Sequence, residues 1–348
     1  MRVPASELRR FVAAVFAAAG CSAEEAERVA QHLVEANLVG HDSHGVIRVP
    51  SYVEWLGAGK VVANQTMAVV FENDAIAVVD GQFGLGQSIG EQAVALGIEK
   101  ARKHGVSVIA LRNAGHLGRI GDWPLMAAEA GLLSLHFVNT SGAGMLVAPH
   151  GGINRRLSAN PIAAGVPVPG REPLLMDISA CTIAEGKVRV ALNKGVPVPD
   201  GCLIDSEGKP TNDPKVFYGD PPGAILPIAA HKGYALSMMA EMFAGALTGG
   251  SCTNPDNAGR VANGMLSIYI DRAFFQTDAE WDAEVNRFID FVKSSQRVDE
   301  AKEILVPGEP ESRTKTQRLA EGVTLDATTW SQLSATAEKL GVPMPASA

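Results

Sequence analysis

The sequence predicts an α/β (α+β) fold, in which a mixed or antiparallel sheet packs with a helical domain built from both chain ends. Helical periodicity dominates residues 1–65 and 271–348, whereas short apolar strands alternate with helices in residues 66–270. We expect an N-terminal helical segment at 1–65, a sheet-based region at 66–270, and C-terminal helices at 271–348 that pack back on the N-terminal segment. Of the 348 residues, 46% are hydrophobic and 20% are charged, which is typical of a globular chain with a large core.

The N-terminal segment contains recognisable helix boundaries. A first helix at 6–19 carries apolar residues at helical spacing and ends at Gly20. A second helix begins after Ser22, and Glu25 stands at the capping-box spacing. A short helix is predicted at 49–57. The Gly-His-Asp-Ser-His-Gly stretch therefore begins where the second helix ends.

The rest of the chain is assigned from the same periodicities. Apolar runs typical of strands lie at residues 67–71, 75–80, 106–111, 132–138, 173–178 and 264–270. Helical patterns lie at residues 87–104, 120–130, 232–247, 280–294, 312–321 and 327–340. Residues 141–227 are rich in Gly and Pro, so we expect loops with only short strands there. The helix at 232–247 is apolar on nearly every side, which predicts a buried helix.

Charge and cysteine usage restrict the function classes. The net charge of −8 and the sequence pI near 5.5 argue against binding to nucleic acid or to an anionic membrane. No apolar run is long enough to span a bilayer, and residues 1–4 are not followed by a signal peptide's apolar block. The four cysteines form no C-x-x-C pair, and the near pair His41/His44 has no second acidic cluster to complete a metal site. These features predict a reduced, cytoplasmic, metal-free protein.

The most informative stretch is residues 40–52, Gly-His-Asp-Ser-His-Gly-Val-Ile-Arg-Val-Pro-Ser-Tyr. His44, Arg48 and Tyr52 fall at i, i+4 and i+8, so on one helix they would share a face. A proton carrier, a cation and a phenol on one stripe are suited to binding and reducing a small carboxylate-bearing molecule. The alternative is a solvated helix start, where polar residues are expected in any protein.

A glycine-rich segment at residues 84–90, Gly-Leu-Gly-Gln-Ser-Ile-Gly, resembles a dinucleotide-binding fingerprint. Its glycine spacing is one residue too long, and no acidic residue follows the strand at 106–111. We therefore expect these glycines to shape a strand-to-helix turn rather than a Rossmann site.

Three further segments leave alternatives open. His116 and Arg119 lie in a glycine-rich segment that is suited either to contact with a substrate or cofactor phosphate, or to an ordinary turn. Asp177 ends a strand, where it either orients a histidine or forms a turn. Lys232 stands at a helix start, which is unfavourable for a cation unless an anion pairs with it, although an extended surface lysine is the alternative.

Together these motifs resemble the malate/L-lactate dehydrogenase (type 2) family, and within it most closely the hydroxycarboxylate dehydrogenase branch. The resemblance rests on five motifs in consistent order from about residue 6 to 340. They are Gly40-His41-Asp42-Ser43-His44-Gly45 with Arg48 and Tyr52; His116-x-Gly118-Arg119-Ile120-Gly121; Ser158-x-Asn160-Pro161 with Leu175-Met176-Asp177; His231-Lys232-Gly233-Tyr234-Ala235-Leu236; and Pro307-Gly308-Glu309.

The resemblance implies an NAD- or NADP-dependent oxidoreductase whose cofactor domain is not a Rossmann fold. It also implies a homodimer with its active site near the subunit interface. Implied substrates are small 2-hydroxy or 2-keto acids, with hydride transferred to or from C2. A cyclic ketimine reductase acting on a carboxylate-bearing C=N bond is the alternative. A non-catalytic binding protein or a metal-dependent hydrolase belongs to a different class that also stays open.

Residue roles follow from the same resemblance. His44 and Ser43 form an acid/base pair, with His116 as the alternative proton carrier. Arg48 binds the substrate carboxylate, and Tyr52, Ser158 and Asn160 complete the substrate side. Relatives often have Thr where this chain has Ser158. The cofactor side is implied to comprise His116, Leu117, Gly118, Arg119, Ile120, Met176, Asp177, Ile178, Ser179, Ala180 and Lys232, with Asn263 and Arg313 near the adenosine end.

Overall fold

The computed structural model describes residues 1–142, 144–257 and 259–345. The α-helices of this part of the chain are α1 (Ala5–Ala18), α2 (Ala23–Leu38), α3 (Val49–Gly57), α4 (Gly86–His104), α5 (Asp122–Glu129), α6 (Glu185–Lys194), α7 (Pro214–Phe217), α8 (His231–Ala240), α9 (Asp278–Lys293), α10 (Glu309–Glu321) and α11 (Ala327–Leu340). The strands are β1 (Arg2–Val3), β2 (Ala68–Glu72), β3 (Ile76–Asp80), β4 (Val106–Ala114), β5 (Leu133–Gly142), β6 (Ile162–Val166), β7 (Leu174–Ile178), β8 (Leu203–Ile204), β9 (Pro210–Thr211), β10 (Ala224–Ile225), β11 (Val261–Ile270) and β12 (Val323–Thr324).

A mixed sheet forms the centre of the molecule. Among the described residues its strand order is β2-β3-β4-β11-β5-β6-β7. Only the β3–β4 pair of this sheet is parallel, and α4 connects those two strands, as a parallel crossover requires. All other neighbouring pairs of this sheet are antiparallel. This topology confirms the predicted mixed sheet that is not a Rossmann fold.

The two chain ends build a helical unit together. β1 pairs with β12, and the apolar faces of α1 and α2 share one core with Val323, Leu325 and Leu333. Residue Lys315 of α10 also forms an ion pair with Glu35 of α2 at 2.6 Å. The sequence therefore predicted correctly that helices from both ends pack together, because their buried stripes recur at helical spacing.

Helix α9 differs from the expectation that the C-terminal helices pack on the N-terminal segment. The indole nitrogen of Trp281 donates to the carbonyl oxygen of Pro167 at 3.3 Å, and Arg171 pairs with Asp290 at 2.7 Å. These contacts attach α9 to the connection between β6 and β7. The division at 1–65, 66–270 and 271–348 stays a prediction, and residues 346–348 lie outside the described residues.

The segment at 141–227 contains more structure than the sequence indicated. Besides β6 and β7 it includes α6, α7 and a small antiparallel sheet in the order β10-β8-β9. Helix α6 went unpredicted because its buried residues Val188 and Ala191 are separated by exposed Arg189 and Val190, so they form no continuous apolar stripe.

The expectation of a buried helix at 232–247 is wrong. Helix α8 runs into a π-helical turn at Glu241–Ala246, and small or polar residues face the sheet. A Cβ on Gly245 would lie 2.7 Å from the amide nitrogen of Asn139, so this close packing requires glycine. The large apolar side chains point away and are exposed, which defines the α8 surface: Leu236, Met239, Met242, Phe243 and Leu247.

The glycines at 84–90 lie where β3 leads into α4, as the predicted strand-to-helix turn requires, and they also allow close packing. A Cβ on Gly86 would clash with the carbonyl oxygen of His116, and one on Gly90 would clash with the ring of Trp123. The start of α4 can therefore approach the β4–α5 loop closely. This approach brings Gln87 beneath the candidate site.

Candidate functional site

The segment after α2 does not continue as one helix. Residues Asp42–His44 and Val46–Arg48 each form a 3₁₀ turn before α3 begins, with Gly45 extended between them. The side-chain oxygen of Asn37 accepts a hydrogen bond from the main-chain N–H of Val46 at 2.9 Å. A Cβ on Gly45 would collide with that amide. The single helical stripe expected from the i, i+4, i+8 spacing is therefore wrong, because Asn37 folds the chain into two turns.

The folded segment nevertheless brings the expected side chains together. Ser43 Oγ and His44 Nδ1 lie 3.0 Å apart, and Arg48 Nε donates to the carbonyl oxygen of Ser43 at 2.7 Å. The rings of His44 and His116 stack with centroids 5.8 Å apart and an interplanar angle of 14°. The 40–52 stretch and the β4–α5 loop thus form one site.

The hydroxyl group of Tyr52 contacts the second histidine, His116. The hydroxyl oxygen lies 2.5 Å from His116 Nδ1 and accepts a hydrogen bond from Gln87 Nε2 at 3.2 Å. Because Gln87 donates to the phenol oxygen, the phenol proton is free to be donated to Nδ1. In the described part of the chain, Nε2 of His44 and Nε2 of His116 have no hydrogen-bond partner. Both rings therefore offer the same nitrogen to a ligand.

Burial and one cation control the protonation of this site. Burial, followed by the charge of Arg48, lowers the pKa of His116 to about 3. The same two causes, with a smaller contribution from His116, hold the pKa of His44 well below its usual range. Burial raises the pKa of Tyr52 to about 12. At neutral pH both imidazoles are neutral and Arg48 carries the positive charge.

The loop that carries His116 is held from several sides. Leu117 N–H donates to Asn263 Oδ1 at 2.9 Å, Arg119 pairs with Asp122 at 2.7 Å, and Gly121 N–H donates to Asp177 at 2.8 Å. Leu117, Arg119 and Ile120 are buried, and Gly118 has a φ of 72°. Burial raises the pKa of Asp177. Asp177 therefore neither merely forms a turn nor contacts a histidine, since it anchors this loop.

Asn263 has a different setting from the one implied near the adenosine end. Its amide nitrogen donates to the carbonyl oxygen of Asn139 at 2.9 Å and to Thr140 Oγ1 at 3.0 Å, while its oxygen accepts from Leu117. Every polar atom of its side chain is engaged within the protein. Asn263 is thus a support for the loop.

A third group of expected residues meets where β7 ends. Ala180 N–H donates to the carbonyl oxygen of Ala159 at 2.9 Å, and Ile228 N–H donates to that of Ala180 at 3.0 Å. These bonds place three segments next to one another. The expected site residues on those segments are Ser158, Asn160, Met176, Ile178, Ser179 and Lys232. Lys232 is exposed in the first turn of α8. Arg313 is exposed on α10, where it pairs with Glu303, and no contact links its side chain to the two histidines.

Sequence reasoning missed the acid beneath Asn160. Glu241 is 3% exposed, and its carboxylate accepts hydrogen bonds from Asn160 Nδ2 at 2.8 Å and from Asn139 Nδ2 at 3.0 Å. Asn160 is fully buried with a φ of 40°, and its side-chain oxygen has no partner within the described chain. A lone glutamate in an otherwise apolar helical stretch was the available signal. Gln87 and His32 were also missed, because Gln87 drew no attention within its glycine-rich segment and His32 stands in no motif.

The described residues contain neither a cluster of metal ligands nor a helix that could span a membrane. They contain no group of three or more His, Cys, Asp or Glu side chains arranged to hold a metal ion. None of their helices is long and apolar enough to cross a membrane.

The chain is similar to known proteins over nearly its whole length. A family model described as malate/L-lactate dehydrogenase matches residues 3–334. Hydroxycarboxylate dehydrogenase B of Escherichia coli is 42% identical over 98% of this chain and 95% of its own length. L-lactate dehydrogenase of Cupriavidus necator is 35% identical over 99% of each chain.

Solved structures are similar over the same extent. A putative malate/lactate dehydrogenase from E. coli has a TM-score of 0.94 at 42% identity, covering 99% of this chain and 96% of that one. Delta1-piperideine-2-carboxylate reductase from Pseudomonas syringae pvar. tomato has a TM-score of 0.82 at 30% identity, covering 97% of this chain and 100% of that one.

The electrostatics of the histidine pair predict its titration. His116 should stay neutral between pH 5 and 8, because burial and Arg48 lower its pKa to about 3. In Arg48→Ala, the pKa values of both His44 and His116 should rise toward 6.5 without reaching it, because burial remains. Imidazole NMR shifts measured against pH test this, with Arg10→Ala as a control. A wild-type midpoint near 6.5 for His116 would contradict this account.

Proposed function

The chain belongs to the malate/L-lactate dehydrogenase family and is an oxidoreductase of hydroxy acids that uses a nicotinamide cofactor, and we propose that its substrate is a small 2-hydroxy or 2-oxo monocarboxylate or dicarboxylate bound by Arg48. The observation that carries this proposal is the pair of stacked imidazoles beside a guanidinium. A cation and a proton carrier in that arrangement match the two ends of a 2-oxo acid. Family membership sets aside a non-catalytic protein and a metal-dependent hydrolase.

Arg48 is the carboxylate-binding residue in this proposal. Its Nε is engaged by the carbonyl oxygen of Ser43, and in the described residues its two terminal nitrogens have no partner. Two parallel N–H groups match the oxygens of one carboxylate and fix the face that C2 presents. The Ser43 contact holds the guanidinium plane while the fork stays available.

His44 is the better proton carrier of the two histidines. The Ser43 hydroxyl beside its Nδ1 can donate to that nitrogen or accept from it, so it accommodates both protonation states. His116 faces a phenol that already accepts from Gln87, and this arrangement favours the neutral ring. We therefore assign proton transfer at the substrate oxygen to His44, and orientation of the substrate to His116.

Substrate binding also changes the charge that controls His44. The carboxylate neutralises Arg48, and the charge of Arg48 is one cause of the low pKa of His44. The pKa of His44 therefore rises when a 2-oxo acid binds, which makes the protonated ring more accessible, and that ring donates its proton to the carbonyl oxygen. In the oxidative direction, neutral His44 accepts that proton from the hydroxyl group.

The residues of the β4–α5 loop and of the segments that meet at the end of β7 fit a nicotinamide dinucleotide by their donor chemistry. The main-chain N–H groups of Gly118 and Arg119 have no acceptor among the described residues, and Gly118 has the left-handed φ that such anion-binding loops use. Lys232 supplies a cation, and Ser179 and Asn160 supply polar groups. When bound, the cofactor supplies or accepts the hydride. Ser158 and Asn160 are the proposed wall between cofactor and substrate.

A ketimine reductase is the second candidate, because the similar structure from P. syringae carries that name. The same site would bind the carboxylate at Arg48 and donate a proton to an imine nitrogen. The role of His44 would differ only in the atom that accepts its proton, which is an oxygen in a 2-oxo acid and a nitrogen in an imine.

Activity assays that combine each nicotinamide cofactor with each candidate substrate test the proposal. The purified chain should oxidise NADH or NADPH, followed at 340 nm, with at least one 2-oxo acid. Arg48→Ala should lower kcat/KM by about a hundredfold because a charge-assisted contact is lost, and Arg48→Lys should recover only part of it. Activity with a cyclic imino acid alone would favour the reductase. A kcat/KM of Arg48→Ala within a few-fold of wild type would contradict the role of Arg48.

A homodimer is the second part of this proposal. The α8 surface exposes five large apolar side chains, including Leu247 at 62% exposure and Met239 at 46%. Water-exposed apolar clusters of this kind are typical of subunit interfaces. The partner that we propose for it is a second copy of this chain.

Sedimentation or light scattering tests the dimer. The wild-type chain should have about twice the mass of one protomer, as a two-fold interface requires. Leu247→Glu should shift the mass toward the monomer, because a charge would be buried at the interface. Leu319→Glu is the matched control, since Leu319 is 57% exposed on α10. If Leu319→Glu alone dissociated the dimer, the interface would lie at α10 instead. A monomeric wild type would contradict the dimer.

A further inference from the structure

His32 is a buried titratable group that the proposed mechanism does not use. It lies on α2, and its side chain is 11% exposed. Its Nδ1 is 2.7 Å from an oxygen of Asp122, and its Nε2 is 3.1 Å from an oxygen of Glu91. The ring also packs against Trp123 with centroids 5.2 Å apart. One side chain thus joins α2 to the starts of both α4 and α5.

We propose that His32 is a positioning residue that holds the His116 loop against the His44 segment. This inference rests on the proposed function, because the loop matters through the hydride-transfer site that it completes. His32 touches neither histidine of the site and acts only through Asp122.

The path from His32 to the loop is short and continuous. The second oxygen of Asp122 accepts from Arg119 Nη1 at 2.7 Å, and Arg119 is 3% exposed within the loop. Asp122 is the first residue of α5, so fixing its carboxylate fixes where the loop ends. The start of the loop is fixed separately, because Leu117 is bonded to Asn263. Without His32, Asp122 at the end of the loop would lose one of its two contacts, whereas the hydrogen bond of Leu117 at the start of the loop would remain.

The same helix also controls the opposite side of the site. Five residues beyond His32, Asn37 bonds both Val46 and Asp42 and so shapes the turns that carry His44. Because α2 is rigid over this distance, His32 and Asn37 together set how the two imidazoles face each other. A loose His116 loop would disturb their 5.8 Å stacking while leaving Arg48 in place.

The charges around His32 favour its protonated form. Glu91 and Asp122 are its two acidic neighbours, whereas Arg28 pairs with Glu91 and Arg119 pairs with Asp122. Hydrogen bonds to the two acids outweigh burial and raise the pKa of His32 to about 9. At neutral pH it is a cation between two carboxylates. Its removal would leave buried Asp122 with a single partner, and such losses are costly.

Two variants separate positioning from general stability. His32→Leu removes both hydrogen bonds, while His32→Asn retains a donor toward Asp122 without the charge. His136→Leu is the matched control, because His136 is a fully buried histidine bonded to Ser134 and Ser267. Amide hydrogen exchange of residues 114–125 and steady-state kinetics are measured on all of them at pH 7.

For His32→Leu we expect amide exchange in residues 114–125 to quicken by about tenfold, because the loop opens locally more often. The kcat should fall by about tenfold or more while the KM for the 2-oxo acid stays within about threefold, since Arg48 is undisturbed. His32→Asn should lie between His32→Leu and wild type. His136→Leu should change neither loop exchange nor the ratio of kcat to KM.

Two results would overturn the role of His32. One is unchanged loop exchange in His32→Leu, and the other is an equal change in His136→Leu. If His32→Leu does not fold, the exchange and kinetics of His32→Asn decide the matter alone. A wild-type protein without hydride transfer would instead count against the proposed function, and the exchange data would still judge the contact between His32 and the loop.

Discussion

Asp122 has both carboxylate oxygens occupied, one by His32 and one by Arg119, and this buried pairing joins the N-terminal helices to the sheet. The site lies between those two units, since His44 comes from the helical segment and His116 from the loop beside β4. Removing one partner of a buried ion pair costs about 3–5 kcal/mol. The relative position of the two units therefore depends strongly on this pairing, and the stacking of the two imidazoles depends on that position.

Two glycines allow the close packing on which the polar contacts of the site depend. Gly86 allows α4 to approach the carbonyl oxygen of His116, which brings Gln87 to the hydroxyl of Tyr52. Gly45 allows the segment that carries His44 to pass against Asn37. Neither glycine contacts the proposed substrate. Each lets backbone and side chain come nearer than a Cβ would permit, and the polar contacts follow from that approach.

Much of the fold could be predicted from the sequence, because apolar periodicity is local, and the motifs also named His44, Arg48, Tyr52 and His116, which the structure brings together. The sequence could not predict that Asn37 breaks the His44–Tyr52 stripe into turns, since that depends on contacts across a chain reversal. Nor could it predict the exposed face of α8, because a helix that is apolar all round looks the same whether water or a subunit covers one side. Glu241 and His32 were missed for a related reason, as their partners are distant in sequence.

The central claim is that burial and the charge of Arg48 together keep His44 neutral, and that a substrate carboxylate removes the contribution of Arg48. Proton uptake on binding of oxamate, an unreactive 2-oxo acid isostere, tests this most directly. Calorimetry in two buffers with different ionisation enthalpies measures it, using protein saturated with the reduced cofactor that supports turnover. The account predicts a fractional uptake of protons per site that grows as the pH is lowered from 8 to 6, because the pKa of His44 rises when Arg48 is neutralised while burial still holds it below 6.5. Tight binding of oxamate with no uptake of protons across the range from pH 6 to 8 would contradict it.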